Sequence, residues 1–218
     1  NIKKMKINVP LIRQPKGSKD CGIAGLAMIY AYYKKNKTFE DLKKEITIYD
    51  IGTYAPQLGS HLIKDGFKVK ITTYHPGLVC KAFKEVSQKE IYDELLKLKE
   101  SYKDEKNKMV IQFFLDFINN GGEIEIKIPS KEDLIEELNN KRPIGVLMTT
   151  GVLYGNKPLF NFHFVIVTGI EDNKIIVNDP MPDKRGGIKE YKLDEFFYGV
   201  YASAYGDLDN ASFIKIRT

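Results

Sequence analysis

Residues 18–36 read "SKDCGIAGLAMIYAYYKKN", a polar loop that runs into thirteen almost wholly apolar residues from Cys21 to Tyr33. The run is too short for a bilayer, which needs about 18–20 such residues. Residues 22–35 are apolar almost all round, which predicts a helix buried on every side at the centre of a domain. Cys21 falls in the first turn of that helix. Free N–H groups and the helix dipole favour a thiolate there, and the thiolate is the nucleophilic form. A buried structural cysteine is the alternative reading of the same position.

Around this helix the chain changes character along its length. Thr38 with Asp41 has the spacing of a capping box and opens a short helix. A further helix runs from Pro56 to Lys64 and stops at Gly66, and "FKVKITTY" then alternates like a strand. Two amphipathic helices are expected at 88–102 and 109–119, the second stopped by Asn-Gly-Gly. "GEIEIKI" reads as a strand, "PSKEDLIEELNNKRP" as a helix capped by Ser130 with Asp133, and "IGVLMTT" as a buried strand. From residue 160 onward β patterns dominate. "FHFVIVTGI" and "KIIVND" flank the turn "EDN", and "KEY", "ASAYG" and "ASFIKI" are read as further strands. Helices first and antiparallel strands later predict an α+β fold.

The 218 residues fit one domain: a helical half at about 10–80, inserted helices at about 81–128, and a β half at about 129–218. A charge of +5 is spread among mixed lysines and acids. Only "IKKMK" and "YKKNK" are locally basic, so no stripe for nucleic acid is present. Two cysteines, Cys21 and Cys80, do not make a disulfide framework. No signal peptide or membrane span is visible, and the cytoplasm is the expected compartment. His61, His75 and Cys80 lack a zinc-site spacing, and "GVLYGNKPLFNFH" lacks a phosphate-loop pattern, so no metal or cofactor is expected.

A cysteine nucleophile needs a base and a group that orients the base. Of the three histidines, His61 lies on an amphipathic helix and His75 precedes Pro-Gly in a turn. His163 alone sits within an apolar strand, where an unpaired imidazole is costly. It serves either as the base or as a satisfied core histidine. Asp179 ends the next strand, sixteen residues on. In an antiparallel pair, opposed residues share a face. A three- or five-residue loop around Glu171–Asn173 would place His163 and Asp179 on one side. The alternative for Asp179 is a plain Asp-Pro turn residue. Gln14, in a polar Pro/Gly loop seven residues before Cys21, can donate its amide to an oxyanion alongside the Cys21 N–H.

Taken together, "Q…DCGIAGLAMIYAYY" and the distant "HFVIVTGI…IIVNDP" resemble the papain-like cysteine peptidases of the bacteriocin-processing, double-glycine leader type and their stand-alone relatives. The resemblance covers about residues 9–35 and 160–200. It implies Cys21 as nucleophile, His163 as base, Asp179 as orienting residue and Gln14 as oxyanion donor. It also implies a papain-like fold in which the buried Cys helix packs on an antiparallel sheet. Three features depart from the family pattern: a Gln14–Cys21 spacing longer by one residue, the helical segment 81–128, and "FHF" where Gly-His is usual. The expected activity is hydrolysis of a peptide or protein substrate through a thioester. An acyl- or peptidyltransferase using the same thioester, or an inactive peptide-binding module, is the alternative.

Overall fold

A computed structural model describes residues 4–155 and 157–218. Residues 2 and 3 of the basic "IKKMK" and Asn156 of the 151–163 stretch lie outside the described residues. The apolar run forms α1 (Cys21–Tyr32), in which Gly22 to Tyr30 are all buried. It is preceded by β1 (Met5–Lys6) and followed by α2 (Phe39–Glu45) and α3 (Ala55–Lys64). The Thr38–Asp41 capping box is formed, with both reciprocal hydrogen bonds present. β2 (Lys68–Thr73) leads through the loop holding His75 and Cys80 to α4 (Gln88–Ser101) and α5 (Glu105–Asn119). β3 (Glu123–Ile126), α6 (Lys131–Asn139), β4 (Ile144–Thr149) and the single-turn α7 (Gly151–Tyr154) come next. The chain ends with β5 (Phe162–Glu171), β6 (Lys174–Asp179), β7 (Gly187–Lys192), α8 (Leu193–Ala202) and β8 (Ser212–Arg217).

The result is the mixed α+β architecture that the order of patterns implies. One sheet runs β3-β2-β8-β4-β5-β6-β7, with β1 pairing the far end of β5. All its pairings are antiparallel except β2 with β3. Helix α1 lies against β5, and Gly25 is what allows the approach. A Cβ there would come within 2.3 Å of the Phe164 ring, closer than any carbon contact tolerates.

Segment 81–128 forms the expected helical hairpin, and its second helix is built into the core. Val110, Ile111, Phe114, Leu115 and Phe117 of α5 are fully buried, and Phe117 packs against Gly59 of α3. Phe113 reaches the aromatic pair Tyr49 and Tyr54 at the start of α3. The segment also supplies β3 to the sheet edge.

Two details differ from the sequence reading. "ASAYG" is not a strand: it is the end of α8 and a 3-10 turn over Ser203–Tyr205. Helix α8 itself escaped the strand-dominated reading, although Phe196, Phe197 and Val200 have helical spacing and are buried. The loop between β5 and β6 is also shorter than expected. Glu171 pairs directly with Lys174 around a two-residue turn, Asp172-Asn173, and both turn residues have positive φ, at 45° and 63°. That is the turn whose twist suits a tight hairpin.

Candidate active site

An even-numbered turn should send His163 and Asp179 to opposite faces of the hairpin, because side chains alternate. A bulge restores the match. The register advances by one between Val167 and Gly169, so that Thr168 is the extra residue and Ile166 pairs with Asn178. The backbone oxygen of Thr168 accepts a 2.8 Å bond from the Ile7 N–H, which continues the β1–β5 pairing past the bulge. Beyond the bulge His163 and Asp179 share a face, and His163 Nε2 stands 2.8 Å from Asp179 Oδ1. The expected juxtaposition is present, reached by a two-residue turn and a bulge instead of an odd loop.

Asp179 is wholly buried and its charge is met on every side. Oδ1 also accepts from the Met181 N–H at 2.9 Å, and Oδ2 accepts from the Tyr154 hydroxyl at 2.8 Å. With Nε2 committed to the carboxylate, Nδ1 of His163 is the nitrogen left for Cys21. The imidazole and the thiol line the same cleft, near enough for each to bias the other's protonation. Burial pushes the Cys21 thiol up. The His163 imidazole and the backbone groups of Phe164 and Gly22 outweigh it and hold the thiol below its ordinary range. Burial pulls His163 down, but the Asp179 carboxylate and the Cys21 thiolate raise it to about 10. The arrangement favours a thiolate beside an imidazolium.

Gln14 is buried on the same cleft. Its backbone N–H donates to the Pro180 oxygen, 2.8 Å away, which ties the Gln14 loop to the strand end that carries Asp179. The side-chain Nε2 donates to the Ser18 oxygen at 2.8 Å. That leaves the second N–H of the amide for another acceptor. Asp20, just before Cys21, is buried and paired to Lys43 at 2.8 Å. The cleft itself holds about 580 Å³, with Gln14, Cys21 and His163 on its floor. Ile51, Leu159, Met181 and Arg185 also line it.

The remaining histidines and the second cysteine lie apart from this cleft. His75 is buried, and its Nδ1 accepts from the Gly77 N–H at 3.0 Å, a turn role. Cys80 is exposed and free. His61 is less exposed than its amphipathic helix suggests. Its ring nitrogen gathers with a carboxylate oxygen each of Glu45 and Asp65 within 4.8 Å of one another. The Lys37 ammonium is seated among these groups, 2.7 Å from Glu45 and 2.5 Å from Asp65, and so supplies the cation that the carboxylates need. Sequence reading missed Tyr154. It lies twenty-five residues before Asp179 in a stretch without periodic pattern.

No helix among the described residues is long and apolar enough to cross a membrane. No curated protein matches the chain significantly. The fold is similar to that of a double glycine motif protease from an AMS/PCAT transporter, solved with a leader peptide. There the identity is 17%, the TM-score 0.50, and the match covers 100% of this chain and 99% of the other. It is also similar to a protein described as a C39-like peptidase from Bacillus anthracis, at 14% identity and a TM-score of 0.54, covering 99% and 98%. At such identities the likeness establishes the papain-like fold. A family model described as Peptidase_C39 like family matches residues 6–208. That match spans the Cys helix, the His–Asp hairpin and everything between them, and the chain belongs to this C39-like peptidase family.

Proposed function

We propose that the chain is a thiol peptidase in which Cys21, His163, Asp179 and Gln14 carry the reaction. The observation that carries this reading is the His163–Asp179 hydrogen bond beside the cleft that Gln14, Cys21 and His163 line together, with the thiol lowered and the imidazole raised. A buried structural cysteine has no use for such a partner.

The Cys21 thiolate attacks the carbonyl carbon of the scissile bond. The oxyanion is met by the Gln14 amide and by the Cys21 N–H at the start of α1. His163 gives its Nδ1 proton to the leaving amine as the C–N bond breaks, and a thioester remains on Cys21. Water then attacks the thioester while His163 takes its proton. The C–S bond breaks and the acid is released. Asp179 holds the tautomer and balances the imidazolium throughout. The substrate is a peptide in extended form, lying between the Gln14–Lys19 loop and the wall made by Ile51 and Leu159. The leader peptide held by the transporter protease supports a peptide as occupant.

Mass spectrometry after incubation with a peptidyl electrophile tests the assignment. One adduct on Cys21, absent from Cys21→Ala, is expected, together with thiol-dependent cleavage of peptides by the wild type. Labelling of Cys80 alone would reject the proposal.

A further inference from the structure

Asp179 accepts three hydrogen bonds, and they are divided unequally between its oxygens. Oδ1 receives the His163 Nε2–H and the Met181 N–H. Oδ2 receives one, from the hydroxyl of Tyr154 at 2.8 Å. Buried carboxylates keep their charge only when both oxygens are met. We propose that Tyr154 is the positioning residue of the site, fixing the plane of the Asp179 carboxylate so that Oδ1 stays on the imidazole. The inference rests on the catalytic reading above.

The surroundings of Tyr154 suit that task. Its ring is part-buried beneath the Arg185 guanidinium, which lies 5.7 Å from the ring centroid. Arg185 is itself held by Asp183 at 2.6 Å. Burial and the neighbouring Asp179 both push the phenol well above its usual range, so it remains a donor at any working pH. The helix bearing it is a single turn that ends at Gly155 with φ 75°, a left-handed stop that returns the chain at once toward the cleft. The same connection carries Leu159 into the cleft wall. Tyr154 thus joins the segment before His163 to the segment after Asp179, two strands that the sheet alone does not orient at their ends.

Tyr154→Phe removes one oxygen and keeps the ring, so its effect isolates the hydrogen bond. The expected result is a fall of roughly tenfold or more in kcat with KM changed less than about threefold, as for a group acting through another. Tyr154→His keeps a ring donor and should recover part of the loss. Tyr154→Leu, which also lacks the donor, replaces the phenylalanine variant if that one does not fold. In an Asp179→Asn background, Tyr154→Phe should cost little more, since the two act as one unit. Asp179→Asn crippling the enzyme while Tyr154→Phe leaves kcat unchanged would overturn the positioning role alone. Full activity of Asp179→Asn would instead remove the catalytic reading beneath it.

Discussion

His163 Nε2 and Asp179 Oδ1 lie 2.8 Å apart although the two residues are not opposite each other on the hairpin. In the register that pairs Ile166 with Asn178, they stand on one face and are offset along it by two positions. The contact is diagonal, and the long imidazole spans it. Asp179→Asn should therefore lower turnover by about a thousandfold or more while the circular dichroism spectrum is retained, because the imidazole loses both its tautomer and its charge partner. Turnover close to wild type would reduce Asp179 to a turn residue.

The bulge at Thr168 supplies a second prediction. Deleting Thr168 should cancel the register step and turn Asp179 away from His163, abolishing activity in a protein that still forms the hairpin. Adding one residue to the Asp172-Asn173 turn together with that deletion should bring part of the activity back, since two parity changes cancel. Peptide hydrolysis by the three proteins is the readout. An active single deletion would show that the strand end, and not the register, sets the contact.

Thiol reactivity separates the two cysteines. Limiting iodoacetamide near pH 6 should alkylate the part-buried Cys21 faster than the exposed Cys80, read by peptide mapping. The sign follows from the pair. The thiol is lowered and the imidazole is raised to about 10. The ion pair therefore forms as pH rises through the lowered thiol value and is lost as pH climbs past about 10. Equal rates at pH 6 would mean that Cys21 is not activated.

Asp209 gives a pH dependence of stability. It is buried, and its Oδ2 accepts from the Ala55 N–H at the start of α3 at 2.7 Å. Burial and the nearby Asp207 raise its carboxyl to about 7, above an ordinary value of 3.8. Between those values the folded state holds a proton that the unfolded chain has released. Stability from this group is thus full below about 4 and is lost as pH rises toward 7. Asp209→Asn keeps an acceptor for Ala55 without the charge. It should melt higher than the wild type at pH 8 and show a flatter dependence from pH 4 to 7. Parallel melting curves across that range would contradict the assignment.

Much of the site was legible in the sequence because its parts sit in strong local patterns. The apolar run places Cys21 at a helix start, and the cap at Thr38 is formed as spaced. The apolar run around His163 marks a buried strand. The turn length was not legible, since "EDN" permits several hairpins and only pairing partners decide among them. A bulge leaves no mark of its own on a run as apolar as "FVIVTGI". "ASAYG" failed for a different reason: alternating small and aromatic residues fit a strand or the tight end of a helix, and packing on β4 chose the latter. Tyr154 acts through a contact between distant segments, which no local pattern announces.

Strand β8 lies between β2 and β4, so residues 212–217 join a sheet whose two sides were made much earlier in synthesis. Until that strand emerges from the ribosome, the Cys21 helix can already rest on the His163 strand, but β2 and β3 have nothing that joins them to the β4–β7 side. The last contacts, such as Lys68 with Arg217, close a loop of about two thirds of the chain. Such closures come late and slowly in folding. A nascent chain short of residues 212–217 would accordingly hold the Cys21 helix on β5 while β2 and β3 wait without a bridge to the rest of the sheet.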